Sequence, residues 1–311
     1  MPMYLQINCY YKNIHLGGAY LKTPLKELRI HHEHLYELTE EILGNYQTVS
    51  LGHSGCHYKM NGIEEQHIHY LLERDKKVKV EMPILFEAAM NGFFTKMQRF
   101  FHYEINFIVN DWGTMRFLAQ QQLPSTVSLS VGRQLAFSYG NCPWYEDILQ
   151  YEDQTIKENY LQLNFGNLAM IKLLKEYGVT EIDADIHAYM EHSVNMLRDE
   201  GIKVNGFLHY PMVSTSRSCH TLRLYNEPVG NCQHLCNNGI MIEPRERWNR
   251  FEDVTVKISK ESREKMGNLL IYGNIVVQDS NRHNESIAFE VDSLCDDARF
   301  SPILLKEEAI K

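Results

Sequence analysis

Ile105-Asn-Phe-Ile-Val-Asn-Asp-Trp-Gly-Thr-Met-Arg-Phe-Leu-Ala-Gln-Gln121 contains, in one stretch, the unit from which the fold is read. Residues 105–110 form a short apolar, β-branched run, the pattern of a buried strand. Residues 113–121 carry apolar side chains at helical spacing. The same alternation recurs on both sides. Further strands are expected at 3–10, 48–51, 78–83, 126–131, 180–184, 204–209 and 269–277. Helices are expected at 24–43, 63–76, 83–91, 166–177 and 188–200. Eight strands with helices between them predict an α/β protein, a (β/α)8 TIM-barrel-like fold. The 311 residues fit one domain of that class, spanning 1–311, and can bury a core without staples.

Two regions break the rhythm. Residues 137–164 are aromatic and acidic, with Tyr139, Trp144, Tyr145, Tyr151 and Tyr160 and no clear period. They are expected as an excursion over a barrel end or a partner surface. Residues 214–247 follow the seventh strand, are rich in Asn and Gly, and lack a continuous apolar stripe. A loop of that length is expected to be functional.

The chain carries 40 acidic against 31 basic residues, a formal net charge of −9. That balance weighs against broad contact with a nucleic-acid backbone, which needs clustered cations. The same holds for the aromatic stretch, where Glu146-Asp147 and Glu152-Asp153 would repel phosphates. No apolar run approaches membrane-spanning length. Met1-Pro-Met-Tyr-Leu-Gln-Ile-Asn8 lacks the basic start and apolar run of a secretory signal. The expected compartment is a reducing cytoplasm, where grouped cysteines bind metal or react rather than form disulfides.

Four of the seven cysteines stand out. Cys56 ends Val49-Ser-Leu-Gly-His-Ser-Gly-Cys56, just past a strand. Cys219, Cys232 and Cys236 lie in Ser216-Arg-Ser-Cys-His-Thr-Leu-Arg-Leu-Tyr-Asn-Glu-Pro-Val-Gly-Asn-Cys-Gln-His-Leu-Cys236, a C-x12-C-x3-C skeleton. Both places fall at the C-terminal ends of strands, the face where barrel enzymes set their sites. Soft thiolates suit zinc and iron–sulfur clusters, and four of them match either a structural zinc or a [4Fe–4S] cluster. Zinc pairs are usually closer, typically C-x2-C on a knuckle, so the spacing favours the cluster. Cys142, in Asn-Cys-Pro-Trp, is the alternative fourth ligand; Cys9 and Cys295 read as structural.

The segment from Ser216-Arg-Ser-Cys219 through Asn231-Cys232-Gln-His-Leu-Cys236, with Val49-Ser-Leu-Gly-His-Ser-Gly-Cys56, resembles the signature of the peptidase U32 family. Within it the chain is most similar to the UbiV-type branch of oxygen-independent ubiquinone biosynthesis. Ile108-Val-Asn-Asp-Trp-Gly113 is similar to another family element. By motif order the likeness spans residues 3–277. It implies a barrel-like fold and a [4Fe–4S] cluster on Cys56, Cys219, Cys232 and Cys236. It also implies a part in oxygen-independent hydroxylation, with prephenate as oxygen donor and a second U32-family chain as partner. The sequence departs from the family after the last cysteine, at Asn237-Asn-Gly-Ile240, in an expanded first crossover at Leu25–Leu43 and in the aromatic stretch 137–164, and these departures leave the substrate open between a quinone precursor and another small metabolite.

Other groups compete for roles. Asn110 and Asp111 follow a strand and either bond a substrate or cap the next helix. His53 and His220 neighbour the cysteines and are candidate proton carriers; His57 and His234 read as surface residues. Asp183, Asp185 and His187 alternate onto one side of an extended stretch, and read as structural. Arg217, two residues before Cys219, is a candidate carboxylate anchor, with Arg133 as a weaker one that reads as an ordinary surface ion-pair partner. No phosphate loop, nucleophile elbow or H-E-x-x-H helix is present. The expected function is an iron–sulfur protein of oxygen-independent hydroxylation acting on a small metabolite, alone or as one subunit of a pair. The alternatives are a U32-type peptidase or a non-catalytic, cluster-carrying partner.

Overall fold

The computed structural model describes residues 25–85, 87–228, 232–233, 235–236, 239–242, 258–279 and 289–300. Seven strands follow one another round a ring: β1 Leu25–Ile30, β2 Thr48–Gly52, β3 Lys77–Glu81, β4 Ile105–Val109, β5 Val127–Val131, β6 Val179–Asp185 and β7 Lys203–Phe207. Four further strands, β8 Met212–Thr215, β9 Ile240–Ile242, β10 Leu269–Tyr272 and β11 Ile275–Gln278, pair antiparallel in a separate sheet. The last, β12 Ser293–Asp297, returns to the ring between β7 and β1 and closes an eight-stranded parallel barrel. The fold is therefore the expected (β/α)8 barrel, with a small sheet inserted between its seventh and eighth strands.

The helices lie between the strands: α1 Glu40–Gly44, α2 His57–Met60, α3 Glu65–Leu72, α4 Glu87–Met97, α5 Trp112–Ala119, α6 Tyr145–Ile148, α7 Gln154–Leu161, α8 Leu168–Glu176, α9 Glu191–Asp199, α10 His220–Tyr225 and α11 Lys260–Met266. Their starts follow the capping rules. Thr39, Asp111, Asp153, Asn167 and Ser259 each accept a backbone N–H in the first turn of α1, α5, α7, α8 and α11. Among the described residues no helix is long and apolar enough to cross a membrane.

Two expectations need correction. Residues 24–43 are not one helix. They hold β1, a 3-10 turn at His32–Glu37 and α1, so the spacing of Leu25, Leu28, Leu35, Leu38 and Ile42 straddles three elements. Residues 269–277 are the β10–β11 hairpin of the inserted sheet, and β12 supplies the eighth barrel strand in their place. The long cysteine segment that follows β7 also carries short elements, the end of β8, α10 and β9. The 137–164 excursion holds a 3-10 turn at Tyr139–Asn141, then α6 and α7, and it reaches the insertion. There Ser259 N–H donates to Asp147 at 2.8 Å and Lys265 pairs with Glu146 at 2.7 Å. The strand expected at 3–10 lies outside the described residues.

The apolar layer sits outside the barrel, not within it. Val49, Leu51, Val78, Val80, Phe107, Val131 and Val204 join Ile68, Leu71, Met97, Leu118, Leu174 and Leu197 in one cluster between strands and helices. The alternate residues are mostly polar, with Ile108 and Phe207 as apolar exceptions. Barrel strands covered on both faces usually read as near-continuous apolar runs. Here Lys77-Val-Lys-Val-Glu81 and Thr48-Val-Ser-Leu-Gly52 alternate strictly, apolar toward the helices and polar toward the axis.

Charges placed in such an interior persist only when paired. Arg29, 1% exposed, reaches Glu27 and Asp183 at 2.7 Å each. Lys79 bridges Glu27 at 2.8 Å and Glu181 at 2.5 Å. Arg133 spans Asp185 at 2.8 Å and Asp297 at 2.9 Å. Arg299 grips Asp297 with two nitrogens, at 2.8 and 2.7 Å, and also pairs with Glu81. Burial would raise the Glu27 carboxyl, but Arg29, Lys79 and Ser50 override it and bring it to about 2. Glu181 and Asp297 are likewise held below the ordinary range against burial, by Lys79 and by Arg299 with Arg133 respectively. In Asp183 burial prevails and the carboxyl is raised.

Two tests follow from this interior. Three depressed carboxyls against one raised one mean that the unfolded chain takes up protons first on acidification. Stability present at neutral pH is therefore lost as pH falls from about 4.5 toward 2. The urea midpoint should drop between pH 7 and pH 3.5; an unchanged or higher midpoint at pH 3.5 contradicts the ion-pair assignment. Arg29→Met takes from Asp183 its cation and leaves Glu27 with Lys79 alone, and should cost about 3–5 kcal/mol in urea unfolding. Adding Glu27→Gln should recover part of that loss.

Candidate functional site

The site forms where β2 ends. Gly52 takes φ 116°, and a Cβ there would come within 2.5 Å of the Glu81 carbonyl and the Met60 sulfur, so only glycine makes this turn. His53, Ser54, Gly55 and Cys56 follow it over the barrel mouth. A Cβ on Gly55 would overlap the Asn274 side-chain oxygen, so the loop lies directly against the β10–β11 turn. Asn274 also holds the cysteine segment. Its Nδ2 donates to the Ser216 carbonyl at 2.7 Å, and its own carbonyl accepts Ser216 N–H at 3.0 Å. Thr221 N–H, in α10, donates to Gly273 O at 3.2 Å. The inserted hairpin thus ties the strand-2 loop to the start of α10, where Cys219 stands.

The four expected thiols share one neighbourhood. Cys236 is buried, and Cys56, Cys219 and Cys232 are partly so. Burial raises the Cys236 thiol to about 11; Lys59 opposes, while Cys56, Cys219 and Cys232 add to the rise by like-charge repulsion. Lys59 feels the same group from the other side. Burial lowers its ammonium, and Cys236, Glu33, Cys56 and Cys232 pull it back up. Among the described residues no three His, Cys, Asp or Glu side chains are arranged to hold a single metal ion. Cys142 and Cys295 sit elsewhere: the first half-buried beside Trp144, the second inside the barrel near Glu27 and Arg29.

A stack of rings adjoins the thiols. His31, His53 and Tyr272 lie nearly parallel, with centroids 5.2–5.7 Å apart. His53 is fully buried, and its Nδ1 accepts Gly55 N–H at 2.8 Å, which makes the neutral ring an Nε2–H tautomer. Lys59 Nζ donates to the Tyr272 hydroxyl at 3.2 Å, and His31 Nε2 lies 2.9 Å from the same oxygen. Burial, reinforced by the charges of Lys59 and Arg299, holds both imidazoles well below their usual pKa. The Tyr272 phenol is raised by burial. This set can hold and pass a proton beside the cysteines. Sequence reasoning reached His53 but missed His31, Lys59 and Tyr272.

The other candidates divide clearly. Asp111 is a cap: its carboxylate accepts Thr114 N–H at 2.8 Å, the Thr114 hydroxyl at 2.6 Å and Leu85 N–H at 3.2 Å. Asn110 donates to Met82 O at 2.8 Å and is buried. Asp183 and Asp185 do share one side, as alternation implied, and both serve ion pairs inside the barrel. His187 has turned away to Ser138, 2.9 Å off. Arg133 is not a surface residue; it is 3% exposed and committed to Asp185, Asp297 and the Tyr210 carbonyl. Arg217 is exposed. His220 pairs through Nδ1 with Arg223 at 2.7 Å. His234 and the side chain of His57 lie outside what is described.

No family model matches the chain, and no curated protein matches it. Fourteen chains of solved structures do. One is a glycoside hydrolase family 18 N-acetylglucosaminidase from Paenibacillus barengoltzii, 8% identical, with 91% of this chain and 99% of that one covered at a TM-score of 0.32. A likeness of that size has no bearing on substrate or chemistry.

The docking of the cysteine loop on the hairpin can be measured. Gly55→Ala should cost about 1–3 kcal/mol through overpacking against Asn274. Asn274→Ala in the same chain should recover part of it, because the clash is removed. Strict additivity of the two changes would show that the loop and the hairpin do not touch.

Proposed function

We propose that the chain is an iron–sulfur protein whose cluster is held by Cys56, Cys219, Cys232 and Cys236. The observation that carries this reading is that Cys236 lies close enough to Cys56, Cys219 and Cys232 to feel their charges, although they come from separate stretches of chain. The donor set fits: four soft thiolates, partly to fully buried, with one lysine to offset their charge. A structural zinc is the competing use of the same donors; the C-x12-C-x3-C spacing, which lacks the close pair usual for zinc, favours the cluster. When bound, such a cluster supplies electron transfer.

The chain's own residues then frame a redox reaction at a barrel mouth. Lys59 and His31 meet at the Tyr272 hydroxyl and can deliver or remove a proton there. His53 directs a buried N–H from the loop that carries Cys56. With the likeness of the cysteine motifs, these features favour hydroxylation of a small metabolite without O2, the oxygen coming from an organic donor. The enzyme would act alone or as one subunit beside a second chain of the same kind. Peptide hydrolysis is the weaker reading. The two histidines beside the thiols, His53 and His31, bond to a backbone amide and to the Tyr272 hydroxyl, not to a serine, threonine or cysteine.

Anaerobic purification tests the centre. The protein should be brown, with iron and sulfide in equal amounts near four each per chain. Cys219→Ala and Cys236→Ala should each lose the chromophore, and Cys142→Ala should keep it. A colourless protein that carries one zinc per chain would exclude the cluster.

A further inference from the structure

The ion pairs of the barrel leave one buried cation over. Arg29, Lys79, Arg133 and Arg299 each hold a carboxylate. Lys59, in α2, is also buried, at 4% exposure, yet among the described residues its ammonium forms no ion pair. Its close contacts are neutral. Nζ donates to the Tyr272 hydroxyl at 3.2 Å and stands 4.9 Å from the centroid of that ring. A buried ammonium with only a phenol beside it is costly, so native structures supply it with negative charge.

The surroundings say where that charge comes from. Burial works against the ammonium, and of the groups that restore it Cys236 acts most, ahead of Glu33, Cys56 and Cys232. Glu33 is exposed and acts from beyond ion-pair distance. The remaining three are expected cluster ligands. No other described cation is left to serve them from within the site. Arg299 is spent on Asp297 and Glu81, and the His31 and His53 rings are kept neutral by burial.

The ammonium is also held in place. Tyr272 ends β10, is 2% exposed, stacks on His31 and His53, and meets Phe300 edge to face at 5.3 Å. His31 Nε2 reaches the same hydroxyl at 2.9 Å. The oxygen that receives Lys59 is therefore fixed by packing on several sides. A positive charge fixed beside a cluster favours its reduced form, because the accepted electron adds negative charge in a space with little water to screen it.

We propose that Lys59 is the counter-ion of the cluster and sets its reduction potential, with Tyr272 as the positioning residue that holds the ammonium there. The inference rests on the cluster reading and adds the residue of this chain that governs how readily the centre is reduced. One electron enters from a low-potential one-electron donor. No bond breaks, and Lys59 keeps its proton throughout.

A mediated redox titration of the full chain, purified anaerobically and followed by electron paramagnetic resonance, tests it. Wild type, Lys59→Met, Lys59→Arg and Tyr272→Phe are compared, with iron content and urea midpoint measured on each sample. Lys59→Met should disfavour reduction at least about tenfold, a fall in potential of about 59 mV for one electron. Lys59→Arg should recover most of that fall. Tyr272→Phe should shift the potential the same way by less, since the charge stays and its tether goes. A merely structural lysine would lower the urea midpoint and leave the potential where it was. Iron-replete Lys59→Met at the wild-type potential, or Lys59→Arg as low as Lys59→Met, overturns the proposal. Where Lys59→Met does not retain iron, an unchanged potential in Tyr272→Phe overturns it instead. Wild-type protein without iron removes the cluster reading and this one with it, so the iron assay tells the two failures apart.

Discussion

The pairing of charges along the barrel axis is the constraint on which the molecule depends. A parallel barrel whose interior holds four cations and their carboxylates cannot close unless each is matched, because an unpaired ion in that space costs far more than a paired one returns. The pairs form a ladder. Lys79 with Glu27 and Glu181 occupies one level, Arg29 with Glu27 and Asp183 the next. Arg133 with Asp185 and Asp297 follows, and Arg299 with Asp297 and Glu81 comes last. Each cation reaches a carboxylate distant in the chain, so the ladder braces the ring across its axis. Its final member, Arg299, also donates to the Gly52 carbonyl at 3.4 Å. The residue at which the cysteine loop leaves β2 is thereby fastened to the interior.

The inserted sheet completes what the ladder begins. Met212, Tyr272, Ile275, Val277 and Phe300 give it a small apolar core of its own. One turn of it, Gly273 and Asn274, touches both the Cys56 loop and the Cys219 segment. Tyr272, beside that turn, faces His31 from β1's end and Lys59 from α2. The mouth is therefore assembled from four stretches far apart in sequence. Its polar groups are held by packing and by short hydrogen bonds rather than by a flexible loop.

The sequence made much of the barrel legible, and the failures have physical reasons. Strands β2 to β7 were expected close to where they stand, because Val, Ile and Phe mark their helix-facing side. β1 was lost because its outward Leu28 joined leucines of the following turn and helix in an apparent helical period. β12, Ser-Leu-Cys-Asp-Asp, has the composition of a turn; its aspartates make sense only once Arg133, Arg299 and Tyr46 are seen to meet them. The cysteine quartet could be read from spacing, since thiols are rare and grouped. His31, Lys59 and Tyr272 carried no such signal, being common residue types drawn from separate elements. The strict alternation of Lys77-Val-Lys-Val-Glu81 was the clue to a charged interior.

Iron K-edge X-ray absorption on the anaerobically isolated protein tests the central claim most directly, because it reports the atoms bound to the metal without any substitution. A first shell of sulfur alone, with iron–iron scattering behind it, is the expected result. A shell of nitrogen and oxygen without an iron–iron path, or no iron at all, would contradict a cluster gathered by Cys56, Cys219, Cys232 and Cys236.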